Sequence, residues 1–282
     1  MTNINEKNNK KAIAVIQVRM SSTRLPGKTL MPLAAKPMLW HICNRLNHCQ
    51  ELDKVIVATS KERNDDKIEE FCKKNKIEFH RGSLDNVLER FVDVIDKYNP
   101  DYIARICGDA PFITPEFIDA QIKAIKLYKG DTVLSRNKNC FFEGQDAYSS
   151  KALKKAYKFS KDKMNLEHVG YKYFLNNLDK LRVVLVNVPE EEEIFKGRRF
   201  CVDTLKDYKF VSKIYQDLYK ENKIINFQAI KDWILKNKEL LEINKNISMK
   251  PYYKKIEKAK QDNFEKANIV GQNNFKIYEK RF

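Results

Sequence analysis

Between residues 12 and 128 short apolar runs alternate with amphipathic stretches, and this alternation restricts the possible folds more than any single motif. Strands are predicted at 12–18, 53–60, 77–82 and 102–109, and helices at 36–49, 65–76, 84–98 and 114–128. Met38, Leu39, Ile42 and Leu46 repeat at helical spacing in the first helix, as do Val87, Leu88, Phe91, Val94 and Ile95 in the third. The fourth opens with Thr114 as N-cap, Pro115 at the first position and Glu116 in the first turn. Strands alternating with helices form βαβ units around a mostly parallel sheet. The expected class is therefore α/β, a mostly parallel mixed sheet flanked by helices. Ligands of such sheets bind beyond the C-terminal strand ends. That rule places the loop after residue 18, Thr59, Arg81 and the Gly108–Asp109 pair along one rim.

Beyond residue 130 the spacing changes. Strands are predicted at 131–136, 143–150 and 182–189, and helices at 151–159, 166–177, 206–220 and 227–242. RFCVD at 199–203 reads as a strand end leading into a helix, which puts Asp203 at a strand terminus. No internal repeat is present. Residues 1–11 are polar and predicted to be disordered, 12–244 form the domain, and 245–282 are a Lys- and Asn-rich extension. That extension carries ten Lys/Arg against four Asp/Glu and reads as packed on the surface or as a mobile arm.

The loop after the first strand, IQVRMSSTRLPGK at 16–28, is the most pointed chemical signal. Arg19, Arg24 and Lys28 set three cations within ten residues, and Ser21, Ser22 and Thr23 add hydroxyl donors. A helix beginning near Lys36 would aim its N-terminal dipole at the same place. This is equipment for an anion such as phosphate; the alternative is a solvated basic turn. Neither GxxxxGK[ST] nor GxGxxG occurs, so the two commonest phosphate motifs are excluded.

Bulk properties narrow the class. The 282 residues suffice for one large α/β domain or two small ones. No apolar run approaches the roughly 20 residues of a membrane span, and the N-terminus lacks the apolar segment of a secretory signal. Six cysteines lie scattered without CxxC, several within apolar stretches. That suits free thiols in a reducing cytoplasm and argues against structural zinc. The formal net charge of +16 admits nucleic acid, an anionic membrane or small polyanions as partners. No helix-turn-helix, zinc-finger or RNP-type pattern supports nucleic acid, although an RNA-binding C-terminal arm is the competing class of function.

Three segments carry a family resemblance when taken as a set: IQVRMSSTRLPGK, ICGDAPFITPEFID at 106–119 and VDTLKDY at 202–208. HRGSLDNVLER at 80–90, GQDAYSS at 144–150 and EHV at 167–169 add to it. Over about residues 12–240 the chain resembles the spore coat polysaccharide biosynthesis F-type proteins of the cytidylyltransferase superfamily. That superfamily includes the CMP-3-deoxy-manno-octulosonate and CMP-sialate synthetases. The resemblance implies a GT-A-like (Rossmann-like) nucleotidyltransferase fold and Mg²⁺-dependent transfer from a nucleoside triphosphate, CTP above all, to a sugar. Pyrophosphate would be released, and the product would serve a surface polysaccharide or protein glycan.

By the same resemblance Arg19, Arg24 and Lys28 hold the triphosphate and Asp109 and Asp203 bind Mg²⁺. Arg19, Lys28, Asp109 and Asp203 are thus the catalytic candidates. Ser22, Thr59, Arg81, Ser83 and Gly108 are nucleotide candidates, and Gln145, Asp146, Glu167 and His168 fall where relatives build the acceptor pocket. A homodimer is implied as well. Asp207 reads as a first-turn helix charge in preference to a second ligand, and His41 and His48 read as structural. Relatives carry Gly where this chain has Ser21; a position requiring φ > 0 would strain Ser by roughly 1–2 kcal/mol. The sugar-1-phosphate branch is the nearest alternative, but its AAGxGxR opening is absent. A GT-A glycosyltransferase would want DxD, and the chain has Gly108-Asp109-Ala110.

Overall fold

A computed structural model describes residues 10–135, 140–190, 192–247 and 264–275. The chain runs through β1 (Ala12–Gln17), the short pair β2 (Pro32–Leu33) and β3 (Lys36–Pro37), α1 (Met38–Leu46), β4 (Lys54–Ser60), α2 (Asp66–Lys74) and β5 (Glu78–Gly82). It continues with α3 (Val87–Tyr98), β6 (Tyr102–Cys107), α4 (Pro115–Tyr128), β7 (Thr132–Leu134), β8 (Gln145–Ser149) and α5 (Ser150–Phe159). α6 (Lys163–Glu167), α7 (Tyr171–Leu175), β9 (Val183–Asn187), α8 (Leu205–Leu218), α9 (Phe227–Lys236) and β10 (Ile269–Asn274) complete the order. Eight strands form one sheet in the order β10-β9-β7-β8-β6-β1-β4-β5, antiparallel only where β8 meets β6 and β7. The expected mostly parallel mixed sheet is what forms.

Period-two alternation explains how β1 serves two cores. Ala12, Ala14 and Ile16 pack on the side of α1, α4 and α8, whereas Ile13 and Val15 pack on the side of α3 and α5. Such a strand, buried on both faces, reads as a continuous apolar run. α3 starts where Asn86 accepts from the Glu89 N–H, and it stops at Asn99 in the left-handed region just before Pro100. At α4 the expected Thr114 cap has extended backbone, but its hydroxyl makes no capping bond. Pro115 supplies the helix start instead.

Several predicted spans change. The first helix begins at Met38 because Lys36 and Pro37 pair with β2, and the Met38 N–H is spent on the Met31 carbonyl. The single helix expected at 166–177 splits into α6 and α7, since Val169 and Gly170 take φ of 54° and 74°. Residues 199–203 form no strand; they cross the sheet rim as irregular chain, pinned where the Val202 N–H donates to the Asp109 carbonyl at 2.8 Å. Within the basic extension, Ile269–Asn274 is the edge strand of the sheet, parallel to β9. The predicted disorder of 1–11 falls almost wholly outside the described residues, as do 248–263 and 276–282 of the extension.

Gly108 sits where β6 turns outward. A methyl group there would lie 2.2 Å from Val18 Cγ1 and 2.8 Å from the Gln17 carbonyl oxygen. The space that glycine leaves is thus filled by Gln17 at the end of β1 and by Val18 just beyond it. Overpacking of this kind costs about 1–3 kcal/mol. Gly108→Ala is expected to lower the unfolding free energy in urea by that amount; an unchanged midpoint would contradict the packing.

Candidate active site

Lys28 is the hub of the rim. It begins a short 3₁₀ turn, Lys28–Leu30, whose entry Gly27 takes φ of 73°. Its Nζ lies 2.8 Å from Asp109 Oδ2, 3.0 Å from Asp203 Oδ1 and 2.7 Å from the Val202 carbonyl oxygen. An ammonium has three N–H donors, and all three are used. Asp203 also receives Arg24 at 2.6 Å and Arg199 at 2.8 Å, both on Oδ2. Burial alone would raise its pKa, but Lys28, ahead of Arg24 and Arg199, outweighs burial and holds the carboxyl at about 2. Burial likewise opposes the charge on Lys28, yet Asp109 and Asp203 keep the ammonium above its usual range.

The cation loop is held from beneath by two residues that the sequence motif does not reveal. Asp65, 1% exposed, accepts from the Met20 N–H at 2.7 Å and from Thr59 Oγ1 at 2.9 Å, as well as from Ser60. Arg90, 2% exposed, donates to the carbonyls of Val18 and Ala58 at 3.3 and 3.0 Å. Both strand ends beside the loop are thereby fixed. Ser21 is not among the residues at positive φ, so the feared strain at that position does not arise.

The remaining candidates divide. Arg19 reaches across the rim to Glu167 at 3.4 Å, and Ser22 is half-buried in the same loop. His168 caps the end of α6 directly after Glu167. Asp146 is gripped by buried Arg105 at 2.7 Å, which also donates to Gln17. Gln145 is 3% exposed, and neither its Oε1 nor its Nε2 has a hydrogen-bond partner among the described residues. A buried amide without partners is costly unless a ligand or solvent completes it.

Three nucleotide candidates have side chains bonded to protein groups other than the Lys28 cluster. Thr59 is fully buried beneath the loop, with its hydroxyl committed to Asp65. Arg81 is spent on the Ser60 and Glu62 carbonyls and on Asp66 and Glu69. Ser83 Oγ accepts from the Asn86 N–H in the turn before α3. Asp207 proves to be structural: it closes a capping box with Thr204 and also accepts from Asn244. His41, buried between Trp40, Tyr215 and Tyr219, bonds the Leu33 carbonyl.

Arg199 was not legible as a site residue, because neither Arg of GRRF at 197–200 carries a spacing signal that ties it to Asp203. No set of three His, Cys, Asp or Glu side chains forms a self-contained metal cage among the described residues. On the rim, Asp109 and Asp203 meet at a cation, Lys28. Chemically the rim offers cations for polyphosphate oxygens and a pair of hard oxygen donors.

A protein-family model for cytidylyltransferases matches residues 13–281. An uncharacterised protein of Methanocaldococcus jannaschii is 34% identical over 244 residues, 86% of this chain and 98% of that protein. The spore coat polysaccharide biosynthesis protein SpsF of Bacillus subtilis is 32% identical over 208 residues, covering 72% and 85%. The structure of a cytidylyltransferase from Leptospira borgpetersenii superposes with a TM-score of 0.74 at 27% identity, over 86% of this chain and 99% of that one. With its sheet and the order of its motifs, the chain belongs to the cytidylyltransferase family.

Proposed function

We propose that this enzyme transfers CMP from CTP to an acidic or otherwise unusual sugar, releasing pyrophosphate, in the synthesis of a surface polysaccharide or protein glycan. One observation carries the reading: Lys28 of the cation loop is bonded to both Asp109 and Asp203, at 2.8 and 3.0 Å. Residues 81 to 175 positions apart in sequence thus meet at one point.

A sugar hydroxyl attacks the α-phosphorus; a new P–O bond forms there while the bond to the bridging oxygen of pyrophosphate breaks. Charge builds on the non-bridging and leaving oxygens. Positioned cations supply most of the rate in such transfers. Arg19, Arg24 and Lys28 orient the triphosphate and absorb that charge. Gly108 sets the turn that presents Asp109. Asp109 and Asp203 would hold Mg²⁺, which prefers one or two carboxylates plus phosphate oxygens and water to an all-protein cage. The donor set fits, because both acids are carboxylates already gathered around a positive charge. When bound, the ion neutralises charge developing on the phosphates. Ser22 is close enough in the chain to assist the phosphates.

On the acceptor side, Gln145 offers an unspent amide, Asp146 a carboxylate fixed by Arg105, and Glu167 with His168 a carboxylate and an imidazole at the end of α6. His168 would take the hydroxyl proton or bind a sugar group. Thr59, Arg81 and Ser83 serve the nucleotide only through the walls they build. A homodimer and a cytoplasmic setting belong to the reading; sedimentation and cell fractionation test them. Among the described residues no helix is long and apolar enough to cross a membrane.

Asp109→Asn and Asp203→Asn are each expected to reduce pyrophosphate release from CTP and sugar by on the order of 10²–10³-fold, with circular dichroism unchanged. Full activity in both would move the metal-binding acids elsewhere. In a thermal-shift panel of the four nucleoside triphosphates with Mg²⁺, CTP should give the largest stabilisation. A larger shift with UTP or GTP would refute the choice of donor.

A further inference from the structure

We infer that Asp109 and Asp203 are not a metal site in the free protein: Lys28 occupies the place of the ion, and a triphosphate must draw Lys28 away before a divalent cation can enter. The inference rests on the nucleotidyl-transfer reading and adds the order in which its components assemble.

Three observations carry it. First, Lys28 is saturated. Its three N–H groups serve Asp109, Asp203 and the Val202 carbonyl, so a phosphate oxygen gains a bond only if one of these is given up. Second, the acids are already ion-paired. Lys28 holds Asp109 and Asp203, Arg24 holds Asp203, and Arg199 holds Asp203 and Asp207. A dication entering between Asp109 and Asp203 would have to sit against the Lys28 ammonium. Third, the cations differ in how firmly they are tied. Arg199 is buried and anchored from below by Asp207. Arg24 and Lys28 belong to one loop, four residues apart, and neither has an acid partner outside the Asp109–Asp203 pair among the described residues; the Lys28 side chain is 11% exposed, close to the 9% of Arg199. Arg24 has no partner other than Asp203 that the described residues show, and 29% of its side chain is exposed. An incoming polyphosphate can therefore withdraw both together.

The exchange is reciprocal. When Lys28 turns to a phosphate, at least one carboxylate is left beside an anion with its counter-charge gone. A divalent cation shared by carboxylate and phosphate relieves that repulsion. Each ligand thus creates the site of the other, and the coupling must be equal in both directions. Arg199 stays behind and keeps Asp203 oriented, so the metal meets a positioned acid. Uncoupled metal binding would instead hold the acids in the free protein and leave Lys28 with the Val202 carbonyl alone.

The test titrates the full-length protein with Mn²⁺, followed by water-proton relaxation, with no nucleotide present. Nucleotide-free wild type is expected to bind Mn²⁺ at least about tenfold more weakly than Lys28→Met. Lys28→Met combined with Asp203→Asn should lose that site. Saturable binding by nucleotide-free wild type, as tight as that of Lys28→Met, overturns the inference. Pyrophosphate release by the same preparation would show that the transfer reading survives. A second measurement needs no variant: CTP affinity of wild type, by calorimetry, should be at least about tenfold weaker in EDTA than in Mg²⁺. Equal affinities overturn the inference. Absence of CTP binding in both conditions, with no pyrophosphate release, overturns the nucleotidyl-transfer reading itself and the inference with it.

Discussion

One lysine ties the molecule's functional rim together. Lys28 draws an acid from the turn after β6, an acid from the irregular segment before α8 and a backbone carbonyl next to it onto a single nitrogen. The sheet makes this possible. β1 and β6 are neighbours in parallel register, so the loop leaving β1 and the turn leaving β6 emerge side by side. The Val202–Asp109 backbone bond then brings the third segment to the same edge. Without the central ammonium, two partly buried carboxylates would face each other with only Arg24 and Arg199 to offset them, which is costly at low local dielectric.

The support beneath is as specific as the site. Asp65 and Arg90 are buried charges whose hydrogen bonds end on the backbone at either side of the cation loop. Each carries the cost of a charge taken out of water, offset by bonds that hold the loop where it cannot hold itself. On the other flank Arg105 performs the same service for Asp146. Reactive groups are thus presented by loops, while buried ionic contacts on strands and helices fix their positions.

How much of this was readable follows from which signals are local. Strand and helix alternation is local, so β1, β4, β6, α3 and α4 stand close to where periodicity predicts them. The cation loop and the Asp109 and Asp203 motifs were legible through spacing and order. Long-range bonding was not. Asp65, Arg90, Arg105 and Arg199 are charged residues inside otherwise ordinary stretches, and their roles appear only when distant segments meet. The side-chain commitments of Thr59 and Arg81 were hidden for the converse reason: position after a strand suggested the rim, but nearby Asp65, Asp66 and Glu69 claim their side chains. The turn inside α6–α7 was hidden because LEHVGYKYFL keeps helical apolar spacing across Gly170. β10 was hidden because Ile269–Asn274 is an exposed edge strand, with polar residues where a central strand would carry apolar ones.

The most direct measurement of the central claim is a crystal structure of the protein with CTP and Mn²⁺, read by anomalous scattering. The account predicts one manganese peak between the Asp109 and Asp203 carboxylates and the triphosphate, with Lys28 turned onto phosphate oxygens. Nucleotide bound elsewhere, or Lys28 still bridging both acids while metal and CTP are in place, would contradict it.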